Sequence, residues 1–138
     1  MTPATLRLTL ARAGLSNAEA ARLLGVTDRT VSRWLAGDVE PTPSHVAKLA
    51  GLIKRQDTAV SLALATYCRR LAEHGSANGE DLWLPKSDAD SVARGWPCKG
   101  AHVAVLRRCA EGLKEIGVEV REHFIGDAGL APPAPLVR

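Results

Sequence analysis

Residues 16–34, SNAEAARLLGVTDRTVSRW, limit the fold more than any other stretch of the chain. Ser16 followed three residues later by Glu19 has the form of a capping box, so a helix begins there. Ala20, Ala21, Leu23 and Leu24 make its apolar face, and Gly25 stops it after about two turns. Thr27 is a good N-cap and Asp28 suits the positive end of a new helix, which the spacing predicts over Asp28–Ala36 up to Gly37. Two short helices around a three-residue turn satisfy all of these signals at once.

The flanks read in the same way. Thr2-Pro3 is a cap followed by proline at the first helical position, where its missing N–H costs nothing. Leu6, Leu10 and Ala13 then recur at helical spacing until Gly14. Thr42-Pro43 repeats the device after a loop over Asp38–Thr42, and opens a fourth helix carrying Val46, Leu49, Ala50, Leu52 and Ile53.

A closely crossed helix pair makes five demands on its side chains. Ala21 must be small, Gly25 must accept a left-handed backbone, and Val26, Val31 and Trp34 must be apolar. All five are met in register. On these residues, with the GDVEP loop and the VAKLAGLI helix behind them, the chain resembles the lambda-repressor-like helix-turn-helix family of Cro and XRE-type regulators, from about Leu6 to Ile53. The resemblance implies a second helix lying in the major groove of double-stranded DNA. Position by position, it implies that Asp28, Arg29, Ser32 and Arg33 read bases while Thr27 and Thr30 approach phosphates, and Asn17 at the start of the preceding helix does the same. Arg29 and Arg33 are four residues apart and so share a face, and arginine can hold guanine O6 and N7 through two parallel hydrogen bonds. Asp28 also complements the helix dipole, and Trp34 matches the buried anchor of the motif. One departure stands out. The loop after the reading helix carries Asp38 and Glu40 in place of basic residues, so either the docking differs slightly or the phosphate contacts come from Ser44, His45 and the helix end.

A hydrophobic fraction of 46% and a charged fraction of 24% in 138 residues are those of a globular protein with one or two small cores. The net charge of +3 sits in residues 1–57, which hold 8 Lys+Arg against 5 Asp+Glu, while the rest holds 10 of each. No apolar run approaches the roughly 20 residues of a membrane span, and no secretory leader is visible, so a cytoplasmic protein is expected. Cys68, Cys98 and Cys109 form no CxxC pair. Cys98 and His102 are four apart, but a zinc site wants a closer pair and a fourth ligand, so no metal and no cofactor are expected.

The second half is less regular. A helical pattern runs from Asp57 to Glu73 through Val60, Leu64, Tyr67 and Leu71, either as an extension of the fourth helix or as a separate one capped by Asp57. Residues 75–81 read as a loop and Leu82-Trp83-Leu84 as a brief strand stopped by Pro85. Ser87 with Asp90 opens a short helix ending at Gly95, and Ala101–Ile116 is a longer one. Residues 118–124 alternate in part as a half-buried strand does, and the tail 126–138, with APPAP, reads as disordered. The expected fold is mainly α: a four- to five-helix DNA-binding domain over 1–56, then a small α+β domain with two short strands over 57–125. The layout is similar to that of two-domain phage regulators, including some anti-CRISPR-associated repressors.

Two short strands alone make a marginal sheet, and pairing across a two-fold axis would extend it. Dimerisation through Leu82, Trp83, Leu84, Val118, Val120 and Phe124 is therefore expected. The whole reads as a transcriptional regulator, by default a repressor, that binds a palindromic operator as a homodimer. Two other uses of the second half are an antitoxin-like cover for a partner protein and a ligand pocket around Trp83, Trp96 and His102. Catalysis is not expected, because His45, His74, His102 and His123 are scattered without partners at telling spacings.

Overall fold

The computed structural model describes residues 1–74 and 79–126. Among these the chain is mainly helical, in the order α1 (Pro3–Ala13), α2 (Asn17–Leu24), α3 (Asp28–Ala36), α4 (Pro43–His74), β1 (Glu80–Leu84), α5 (Asp88–Ala93), α6 (Lys99–Glu115) and β2 (Val120–Phe124). Most of the loop expected at 75–81 and nearly all of the tail expected at 126–138 lie outside the described residues. The chain divides into two compact units, Met1–Gln56 and Asp57–Arg138.

In the first unit, α1, α2 and α3 start alike. Thr2 Oγ1 accepts the Thr5 N–H, Ser16 forms a full capping box with Glu19, and Thr27 Oγ1 accepts the Thr30 N–H. They also end alike. Each stops at a left-handed glycine (Gly14, Gly25, Gly37), and the amide after it reaches back to a carbonyl five residues earlier, as from Val26 N to Ala21 O at 3.0 Å. Leu6, Leu10, Leu24, Val31, Trp34 and Leu49 fill the core, each worth roughly 1.5–3 kcal/mol when fully buried. Gln56, fully buried on α4, donates through Nε2 to Ala13 O at 3.0 Å and so occupies one of the carbonyls left open at the end of α1.

The question left open at Asp57 has a clear answer: α4 is one helix from Pro43 to His74. Residues 52–74 contain neither glycine nor proline, so nothing breaks the ladder. Asp57 does not cap a new helix. Its carboxylate instead accepts from Arg108 Nη2 at 2.7 Å.

In the second unit, β1 and β2 form a parallel pair in which Glu80 faces Val120 and Leu84 faces Phe124. Parallel strands cannot be joined by a tight turn, and here α5 and α6 make the crossover. One face of the sheet packs on α6, with Leu82 buried on β1 and Ala110 and Leu113 buried on α6. α6 begins two residues earlier than the sequence suggested. Cys98 gives it no side-chain cap, and Asp88 Oδ1 accepts the Lys99 N–H at 2.8 Å in its place. Gly112 makes room for α4, since a Cβ there would lie 2.8 Å from Leu64 Cδ1.

Candidate nucleic-acid interface

α3 is sharply two-sided. Val31 and Trp34 are buried, while Asp28, Arg29, Ser32 and Arg33 are all exposed. The helical period produces this split, because 31 and 34 share one side and 29, 32 and 33 share the other. Neither arginine side chain has an ion-pair or hydrogen-bond partner among the described residues, and neither do the side chains of Asp28 and Ser32. The four base-reading candidates therefore stand together on one solvent face with their hydrogen-bonding groups unspent. Trp34 is core, and its indole packs against the His45 ring with centroids 5.0 Å apart.

The phosphate-contact candidates divide into two sets. Asn17 and Ser44 are exposed in the first turns of α2 and α4, where helix N-termini point free N–H groups outward. Thr27, Thr30 and His45 are already engaged. The Thr27 and Thr30 hydroxyls lie 3.0 Å apart while Thr27 caps α3, and His45 Nδ1 lies 3.0 Å from Thr42 Oγ1 at the start of α4. These local bonds fix the two helix starts. Asp38 and Glu40 in the following loop are exposed.

The second unit does not assemble the ligand pocket weighed for it. Trp96 and His102 are both buried and stacked, with His102 Nδ1 3.1 Å from the fully buried Ser91 Oγ. Trp83 instead stacks on His123, on the sheet face that carries Asp81 and Arg121. Burial, aided by the nearby Arg94 charge, pushes His102 down to about 4, so it is neutral at neutral pH. Burial likewise raises the Cys109 thiol to about 11. Asp81 is held at about 2 by hydrogen bonds from Arg121 Nε at 2.8 Å and His123 Nε2 at 2.9 Å. Among the described residues, no group of three or more His, Cys, Asp or Glu could hold a metal ion.

The dimerisation candidates also separate. Leu82 and Val118 are buried within their own unit, Trp83, Leu84 and Val120 are half-buried, and Phe124 is 46% exposed. Sequence reasoning missed the Asp81–Arg121–His123 cluster and the Ser91–His102 pair. The only signal for the first was charge alternation on two segments not yet known to be neighbours.

Among the described residues, no helix is long and apolar enough to cross a membrane. A comparison with curated proteins finds no match. Residues 6–56 match the helix-turn-helix family, one of DNA-binding regulators rather than of enzymes. With its capped α2 and α3, its left-handed Gly25 and its unspent polar face, the N-terminal part of this chain is a lambda-repressor-like helix-turn-helix domain, that of a DNA-binding transcriptional regulator.

Proposed function

We propose that the protein is a cytoplasmic repressor that binds a palindromic operator as a homodimer, with residues 1–56 reading DNA and 57–125 pairing the two copies. The observation that carries this reading is the exposed, unpartnered set Asp28, Arg29, Ser32 and Arg33 on α3. In the proposed docking, α3 enters the major groove, Arg29 and Arg33 seek guanine edges, and Ser32 and Asp28 read their neighbours. Asn17 and Ser44 fix the register on the phosphates, while Thr27, Thr30 and His45 approach the backbone through helix starts they already hold.

One such helix reads only a few base pairs, too few for a unique genomic site. Two of them on a two-fold axis read half-sites about 34 Å apart, one turn of the duplex. A dimer seated over a promoter excludes polymerase, which is why repression is the proposed outcome.

Selection of random duplex DNA on the purified protein, with sequencing of the bound pool, tests this directly. A palindrome with half-site centres one turn apart is the expected result. A pool without sequence preference, whose binding only fades with salt, would sink the operator reading. Against the selected site, Arg33→Ala should cost about 1–3 kcal/mol and relax preference at one base position. Equal weakening on every sequence would move Arg33 from base to phosphate.

A further inference from the structure

On the face where β1 and β2 pack on α6, the second unit carries an open cavity of about 260 Å³. Its floor is apolar: Leu82, Leu84, Val103, Leu106 and Ala110. Leu84, Val103 and Leu106 are only half-buried, so the floor keeps apolar surface in contact with water. Phe124, 46% exposed, is the register partner of Leu84 and extends that surface along the same sheet face. Around the floor stand two cations, Arg107 and Lys114, and two carboxylates, Glu111 and Glu122, all exposed. None of the four side chains has an ion-pair or hydrogen-bond partner among the described residues.

The charge pattern selects the occupant. An acidic or a basic ligand would satisfy one pair of rim charges and oppose the other. A second copy brings both signs, and across a two-fold axis a contact from one residue to a second in the other copy is repeated from the second to the first. The α6 residues at this site, 103, 106, 107, 110, 111 and 114, follow the three- and four-residue spacing of a helix–helix seam. An antiparallel pair of α6 helices centred near 109 places each Arg107 beside the other copy's Glu111.

We infer that this groove is where a second copy of the chain docks, with Arg107 and Glu111 forming two reciprocal ion pairs that set its register. This rests on the homodimer reading and gives it a specific surface on α6 in place of the free strand edges.

The test is a charge swap in the full chain, read as the monomer–dimer dissociation constant by sedimentation equilibrium, with far-ultraviolet circular dichroism of each variant. Arg107→Glu and Glu111→Arg should each weaken the dimer by on the order of ten-fold or more, because like charges then face each other. The double variant should return to within a few-fold of the parent, which also shows that the substitutions leave the fold intact. Folded single variants with the parent's dissociation constant would overturn the groove as the interface and leave the homodimer reading standing. A parent chain that stays monomeric both alone and on its selected operator would overturn both.

Discussion

In the first unit, α1, α2 and α3 are closed at both ends by residues adjacent to them in sequence. Thr2, Ser16 and Thr27 each satisfy an amide three residues on, and each following glycine turns the chain back. The second unit keeps some of this local logic in the capping box of Ser87 and Asp90. Its decisive contacts come from far along the chain. Asp88 caps α6 from 11 residues away, Asp57 holds Arg108 across 51, and Asp81 holds Arg121 across 40. The first unit is built by repetition of a local rule, and the second by meetings that the fold itself must arrange. A reading domain made of local rules can vary its exposed face freely, because no helix end is closed by the side chain of Arg29, Ser32 or Arg33, and the Arg33 carbonyl that receives the cap is present in any residue.

The largest perturbation that can test this division is removal of a fully buried leucine from each unit. Leu6→Ala and Leu113→Ala should each cost about 2–5 kcal/mol. Urea unfolding followed separately at Trp34 and at Trp96, in variants that keep one tryptophan, should show each substitution lowering only the transition of its own unit. A common shift at both probes would break the division. Gly79→Ala comes next. Gly79 has φ of +65°, and a Cβ there would lie 2.8 Å from Glu119 O, a backbone atom that cannot swing aside. The left-handed strain alone is worth about 1–2 kcal/mol, and the overlap adds to it, so the melting temperature of the second unit should fall while that of the first holds.

The smallest effect sharpens the contrast by pH. An unfolded histidine takes up a proton near 6.5, whereas buried His102 resists until about 4. Between those values the unfolded chain binds more protons, so the contribution of neutral His102 is complete above 6.5 and is lost as pH falls toward 4. The second unit should lose about 2 kcal/mol between pH 7 and pH 5, and His102→Gln should flatten that slope. An equal slope in the first unit, which has no buried histidine, would assign the effect to some other group.

The same contrast explains what could be read from sequence. Helix starts at Ser16 and Thr27, the stop at Gly25 and the two faces of α3 follow from rules acting over four residues, and all were legible. So was the capping box at Ser87. The continuity of α4 was open because Asp57 is a plausible cap, and only Arg108, 51 residues on, decides its role. The start of α6 was misplaced for the same reason, since the residue that caps it belongs to α5. For the candidate DNA face, the matching positions of the resembled motif nominated Arg29 and Arg33. The engagement of His45 with Thr42 and Trp34 needed coordinates. A two-stranded sheet was expected, but the parallel sense and register of β1 and β2 were hidden, because alternation marks a strand without giving its direction or alignment.

That parallel pairing also sets a timetable for synthesis. Leu84 is the register partner of Phe124, so β1 leaves the ribosome about 40 residues before its neighbour is complete. At about 5–20 residues per second, this is an interval of roughly 2–8 s. The helices of the first unit, whose caps are all local, can already be assembled by then. For those seconds the nascent protein has a finished reading domain joined to a bare strand carrying Leu82, Trp83 and Leu84. A chain released in that window would keep the helix proposed to read DNA and lack the sheet beneath α6, and on the proposed dimer reading it would occupy a half-site without holding the operator as a pair.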